Sequence, residues 1–325
     1  MDLRAFEDAQ AAIKSIACRT PLVETPEFSD GGRRVLLKLE TAQPTGAFKL
    51  RGAANALSRL SPQEAARGVV CASTGNHGRA LAYAADRLGI PATVCMSKLV
   101  PQNKIEAVRK LGAKVSIVGK SQDDAQAEVD RLVSQQGLVE IPPFDHAAVI
   151  AGQGTIGLEI LEDAPETDTI LVPLSGGGLI AGIAAAAKAK APGVRVIGLS
   201  MERGAAMAAS LSAGHPVDVV EEPTLADSLG GGIGLSNRHT FSMVRDLVDD
   251  IVLLTETQIA AAMRTLFLKA GWVAEGAGAV GIAALIEPGL AELGRNVAVV
   301  ISGRNVDMDV FRAVIDGKSP EASDA

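Results

Sequence analysis

The sequence predicts an α/β protein built on mainly parallel sheets, with two interleaved lobes. Three observations lead there. From about residue 34, short β-branched runs alternate with longer Ala-rich segments of helical period, as consecutive βα units do. Gly89 and Gly112 stand where helices need a left-handed cap, each just before the next strand. The 325 residues suffice for two lobes, yet no internal repeat and no Pro- or Ser-rich linker separates two independent halves.

Taken in order, the β-branched runs place strands at Val35–Leu39, Val69–Ala72, Thr93–Met96, Val115–Val118, Thr169–Leu174, Val194–Leu199 and Val297–Ile301. Between them the helical segments are Phe48–Arg59, Gly78–Leu88, Gln102–Leu111, Asp123–Gln135, Gly152–Leu161 and Gly178–Lys190. Glu256–Ala270 and Gly276–Ile286 follow as helices before the last strand. One uncharged run, Thr169 to Ala187, is long enough to raise a membrane span. Pro173 and the consecutive Gly176, Gly177 and Gly178 would break such a helix in its middle, so the run reads as strand, glycine loop, helix. The tail Asp316–Ala325 reads as a frayed terminus.

Composition excludes several function classes. Lys plus Arg number 31 against 38 Asp plus Glu, a net charge of -7, which disfavours nucleic acid as a partner. Aromatics are 3% of the chain, too few for base-stacking platforms. The three cysteines, Cys18, Cys71 and Cys95, form neither a disulfide framework nor a metal-like spacing, and fit a reducing cytoplasmic compartment. The first residues mix charges and lack the basic and apolar regions of a secretion signal.

Three strand-to-helix junctions carry unusual loops, and in open α/β sheets ligands bind at such junctions. Ser73-Thr74-Gly75-Asn76-His77-Gly78 gathers hydroxyls, backbone N–H groups and a helix start, which suits a small carboxylate, although Ser, Thr and Asn are also ordinary caps. Ser175-Gly176-Gly177-Gly178-Leu179 lets the backbone close round a phosphate at a helix N-terminus. The same stretch with Ala181 satisfies GxGxxA, with Glu202 about 20 residues on, so a dinucleotide turn remains open at this point. Ser302-Gly303-Arg304-Asn305 ends the last strand and by itself is a polar turn. Lys49 stands at the first turn of a helix, where the helix dipole and nearby Arg51 disfavour the ammonium form, leaving a nucleophilic amine or a merely solvated one.

Together and in this order, the four segments resemble the fold type II pyridoxal-phosphate enzymes, specifically the serine/threonine dehydratase and serine racemase family. Gly46 to Ala53 looks like the Schiff-base segment, Ser73 to Gly78 the substrate-carboxylate loop, Ser175 to Leu179 the phosphate cup and Ser302-Gly303 the pyridine-nitrogen contact; Val149 to Thr155 is a further family stretch. The resemblance implies two interleaved three-layer α/β/α lobes, a large one of residues 1–67 and 145–325 and a small one of 68–144. It implies pyridoxal 5'-phosphate as cofactor, held by Phe48, Lys49, Asn76, Gly176, Gly177, Gly178, Leu179 and Ser302. Lys49 is then the base that removes the α-proton, and Thr74 stands where racemase relatives place an opposite-face acid/base. Ser73, Thr74, Gly75, Asn76, His77, Ser228 and Arg304 are the implied substrate contacts.

The implied reaction removes water from a β-hydroxy α-amino acid to give a 2-oxo acid and ammonia. Racemisation and β-replacement share the scaffold, and a nicotinamide-dependent oxidoreductase is the alternative the glycine motif leaves open. Ser228, where many relatives carry glycine, and Arg304, where they carry a second glycine, resemble a branch of dehydratases used in hydroxyectoine breakdown. The region Ser200 to Met207 holds one carboxylate, Glu202, so no dedicated divalent metal site is expected. A homodimer that binds a small amino acid, away from membranes and nucleic acids, completes the expectation.

Overall fold

The computed structural model describes residues 1–29, 31–73, 75–100 and 102–318. Ten strands run in chain order as β1 Leu22–Glu24, β2 Arg34–Leu39, β3 Val69–Ala72, β4 Ala92–Met96, β5 Lys114–Ile117, β6 Val139–Glu140, β7 Thr169–Pro173, β8 Arg195–Met201, β9 Asp250–Leu254 and β10 Asn296–Ile301. They form a six-stranded sheet, β1-β2-β10-β7-β8-β9, and a four-stranded sheet, β5-β4-β3-β6. Every pairing is parallel except that of β1 with β2.

Both faces of each sheet are covered, and the strand period of two shows how. In β2, β7, β8 and β10, one set of alternating residues, Val35, Leu37, Leu171, Ile197, Val297 and Val299, packs with the helices Glu256–Ala270 and Gly276–Ile286. The intervening set, Ile170, Val172, Val196, Ala298 and Val300, packs with Ala147–Asp163 and Gly178–Lys190. The small sheet repeats the scheme. Val69, Cys71, Val94 and Met96 meet Asn76–Leu88, while Val70, Ala72 and Cys95 meet Gln122–Gln136. The latter helix opens in a capping box between Ser121 and Asp124 and ends at Gly137, whose φ of 68° is the left-handed cap. The helix Lys49–Ser58 belongs to the small sheet's core through Leu50, Ala53, Ala54 and Leu57, although it follows β2 of the large sheet.

The expected parallel α/β architecture is present, with the expected strands displaced by two residues at most. Three strands went unread, namely β1, β6 and β9. Two of them, β1 and β6, span three and two residues and carry too little pattern to detect, whereas β9, at a sheet edge, contains the apolar run Ile251 to Leu254 that the reading passed over. The helix expected from Gly152 starts at Ala147. Gly152, Gly154 and Gly157 weaken its helical signal for a packing reason: a Cβ on Gly152 would lie 2.5 Å from the Arg51 carbonyl oxygen. Helices expected nowhere include Leu3–Ile13 and Ala206–Ala213. Among the described residues no helix is long and apolar enough to cross a membrane. The strand, glycine loop and helix from Thr169 to Lys190 occur as read; the tail beyond Lys318 lies outside the described residues.

Behind the large sheet sits a buried ionic cluster. Arg51 is 1% exposed and donates to Glu40, Glu159, Thr20 and Thr155, its contacts to both Glu40 oxygens measuring 2.8 Å. Lys38, at 0% exposure, donates to Glu159 at 2.6 Å and to the Thr20 carbonyl at 2.7 Å. Two cations meet two carboxylates, so the group is neutral as a whole, and the surrounding carboxylates raise the Arg51 pKa despite burial. Arg51→Met is expected to leave Glu40 and Glu159 undercompensated and to destabilise the fold by roughly 3–5 kcal/mol. Urea unfolding of the variant measures this, and a loss under about 1 kcal/mol would contradict the assignment.

Candidate active site

Parallel strands deliver four loops to one place. The large-sheet strands β2, β10 and β7 are adjacent and end at Leu39, Ile301 and Pro173. Ser302 and the loop Ser175–Gly178 therefore emerge side by side. The loop after β3 faces them across a cleft of about 750 Å³ whose wall includes Phe48, Lys49, Ser73, Gly75, Asn76, His77, Gly176, Gly177, Gly178, Leu179, Ser228 and Ser302. Thr74, named above as an acid/base, lies outside the described residues.

Lys49 is placed by backbone bonds of the two residues just before its helix start. Phe48 N–H donates to the Ser302 carbonyl at 3.0 Å, and Ala47 pairs with Gly303 as an antiparallel bridge. The Lys49 Nζ donates to the Pro143 carbonyl at 2.8 Å and lies 5.3 Å from the centre of the Phe48 ring. Burial pushes its pKa down to about 8, against the opposing pull of the Glu275 carboxylate. Arg51, which the sequence suggested would help, does not act here: its charge is compensated in the buried cluster on another side of the helix.

The segment from Ile141 to His146 is a strap that meets Lys49, His77 and the glycine loop. Its Ile141 carbonyl lies 2.7 Å from His77 Nε2, so that nitrogen carries the proton. Burial, with positive Lys49 adding to it, holds His77 down to about 3, and the ring is neutral. Phe144 lies under the glycine loop: a Cβ on Gly176 would come 2.5 Å from its ring and one on Gly178 within 2.9 Å of its backbone. The Asp145 carboxylate accepts from the N–H groups of Arg238, His239 and Thr240.

The glycine loop fits a phosphate. Gly177 has φ 87°, a conformation that side chains resist. The N–H groups of Gly176, Gly177, Gly178 and Leu179 donate to no described residue, and the helix Gly178–Lys190 begins there. Ser302 is 3% exposed, lines the same cleft and has no hydroxyl partner among the described residues. An amine, four free N–H groups, an amide and a hydroxyl thus surround one space, and this donor set fits pyridoxal phosphate. Glu202, needed for a dinucleotide turn, borders a separate shallow depression beside β9 and not this cleft.

Sequence reasoning missed Glu275 and Asp227. Glu275 precedes the helix Gly276–Ile286, is 4% exposed and accepts from Asn76 Nδ2 at 2.8 Å. Burial, reinforced by the Asp227 carboxylate, pushes it up to about 7. A signal existed: Glu275 is the single charge between Trp272 and Ile286. Arg304 departs from expectation. It is exposed and does not line the cleft, because its backbone N–H is tied to the Gly46 carbonyl and its own carbonyl accepts from Val306 in a tight turn. Among the described residues no cluster of acidic, histidine or cysteine side chains has the form of a metal site.

Comparison with known proteins places the chain among relatives along nearly its whole length. A protein of Sinorhizobium fredii that bears a threonine dehydratase name is 56% identical, covering 98% of this chain and 96% of the relative. An L-threonine ammonia-lyase of Thermotoga maritima is 42% identical over 97% of this chain and 78% of its own length. The structure of maize serine racemase superposes with a TM-score of 0.90 at 34% identity, covering 97% of both chains. Residues 13–303 match the pyridoxal-phosphate-dependent enzyme family, and the chain belongs to that family, in its fold type II architecture.

Proposed function

We propose that this enzyme is a dehydratase that removes water from a β-hydroxy α-amino acid and releases a 2-oxo acid and ammonia. The observation that carries the reading is the desolvated Lys49 amine, set between a phosphate-sized glycine loop and the Ser73–His77 loop. Relatives named for threonine dehydration and threonine ammonia-lyase activity support it.

In this reading Gly176, Gly177, Gly178 and Leu179 would hold the cofactor phosphate, Phe48 would pack on its ring, Asn76 would donate to its phenolic oxygen and Ser302 would meet its ring nitrogen. When bound, the cofactor supplies an electron sink for the pair left at Cα. A serine hydroxyl donates a hydrogen bond but does not protonate a pyridine, which keeps that sink moderate and suits prompt loss of a β-substituent. Ser73, Gly75, Asn76 and His77 present the carboxylate loop. The free Lys49 amine would take the α-proton, and the departing β-hydroxyl would take a proton from the cofactor phosphate or a nearby hydroxyl and leave as water; the released enamine tautomerises to an imine that takes up one water to give the 2-oxo acid and ammonia.

We further infer the substrate type from the cleft's charge. Asp123, Glu221, Glu222, Asp227 and Glu275 line it against two lysines, Lys49 and Lys104, among the described residues. Asp227 and Ser228 sit on one short turn, Asp227–Leu229, with Ser228 Oγ donating to Asp227 at 3.3 Å. With Arg304 outside the cleft, nothing basic on that turn would receive a second substrate carboxylate, as in 3-hydroxyaspartate. A second ammonium suits these acids better. 2,4-Diamino-3-hydroxybutyrate has one, and opening and deacetylating hydroxyectoine yields it, which agrees with the branch resemblance at Ser228.

Three outcomes are expected. Lys49→Ala should abolish turnover, and wild-type kcat in that variant would remove the mechanism. Because only the neutral amine attacks, cofactor uptake by the cofactor-free protein should accelerate about tenfold per pH unit and level off above pH about 8. Stopped-flow mixing across pH reads this, and a pH-independent rate would contradict it. Finally, kcat/KM measured side by side should favour the diamino substrate over serine, threonine and 3-hydroxyaspartate; preference for 3-hydroxyaspartate would defeat the charge argument.

A further inference from the structure

Four polar side chains form a continuous chain across the mouth of the cleft. Arg79 Nη1 donates to Asn305 Oδ1 at 3.0 Å. Asn305 Nδ2 donates both to the Thr45 carbonyl at 2.9 Å and to Asn76 Oδ1 at 2.7 Å. Asn76 Nδ2 donates to Glu275 Oε1 at 2.8 Å. Arg79 and Asn76 lie on the helix packed against the four-stranded sheet, whereas Thr45, Glu275 and Asn305 flank the ends of the six-stranded sheet.

The direction of this chain is determined at both ends of Asn305. A carbonyl oxygen only accepts and a guanidinium only donates, so Thr45 demands the Asn305 nitrogen and Arg79 demands its oxygen. The Asn305 nitrogen then faces Asn76, which must present its own oxygen there and its nitrogen to Glu275 and the cleft. One Asn76 N–H is used on Glu275 and the second remains. Two glycines make room for the arrangement. A Cβ on Gly46 would lie 2.7 Å from Asn305 Oδ1, at a backbone φ of 77°, and one on Gly303 would lie 2.6 Å from Glu275 Oε1. The Arg304 N–H to Gly46 carbonyl bond, 2.9 Å, holds the two chain segments together.

We propose that Asn305, itself held by Arg79 and the Thr45 carbonyl, is a positioning residue that locks the Asn76 amide with its free N–H toward the cofactor. This rests on the reading that Asn76 contacts the cofactor. The Asn305 side chain touches neither substrate nor cofactor and acts through Asn76, while its backbone N–H, which a substitution keeps, faces Glu275. It also ties the helix Asn76–Leu88 of the small sheet to chain segments at the ends of the large one.

The test compares Asn76→Ala, Asn305→Ala, Arg79→Met and the double variant Asn76→Ala/Asn305→Ala in the holoenzyme. The readouts are the dissociation constant for pyridoxal phosphate, the ratio of the bound cofactor's absorption bands at fixed pH, and the thermal midpoint. Asn76→Ala should weaken cofactor binding about 3- to 10-fold, the worth of one hydrogen bond, and change the band ratio. Asn305→Ala should move both readouts in the same direction, Arg79→Met by less, and the double variant should go no further than Asn76→Ala alone. Losses that add in the double variant, or an Asn305→Ala that lowers only the thermal midpoint, would overturn the proposal while leaving the Asn76 contact intact. Unchanged cofactor spectra and affinity in Asn76→Ala would overturn both.

Discussion

The placement of the Lys49 amine depends on the buried guanidinium of Arg51. Lys49 lies two residues before it on the same helix, and that helix packs under the small sheet while its first residues are tied to the large one. Arg51 meets Glu40, just beyond β2, and Glu159, on the helix Ala147–Asp163. All its donors are engaged, so neither helix can slide or rotate without stranding a charge in the interior. Close backbone approach reinforces the constraint, since Gly152 sits against the Arg51 carbonyl where any side chain would collide.

Charge is handled differently on the two sides of that helix. Toward the interior, cations and carboxylates are paired and saturated. Toward the cleft, among the described residues, Lys49 has only a carbonyl as hydrogen-bond partner and His77 is held neutral with Nδ1 unpartnered. Desolvation without compensation is what shifts a group from structural to reactive. The strap from Ile141 to His146 coordinates this side, because one short segment supplies the carbonyls for Lys49 and His77 and the ring beneath the glycine loop.

Much of this was legible in the sequence where local pattern and physics coincide. The helices Gly178–Lys190, Glu256–Ala270 and Gly276–Ile286 carry long apolar runs bounded by glycine or a cap, and their limits were read to the residue. The loops that meet at the cleft were visible as Gly, Ser and Asn clusters after β-branched runs. What escaped reading depends on tertiary neighbours. Phe144 and Glu275 gain their meaning only from what the fold brings against them, and Arg51 looked like a partner for Lys49 because sequence distance says nothing about which face of a helix a charge occupies. Arg304 misled for a related reason: proximity to Ser302 in the chain does not survive the turn that follows Gly303.

On the proposed function, the fold offers the cofactor one amine. Two lysines line the cleft among the described residues, Lys49 and Lys104, and a covalent label separates them directly. Borohydride reduction of the protein loaded with pyridoxal phosphate, followed by peptide mapping, should place the label on Lys49 alone. A label on Lys104, or none on either, would contradict the account.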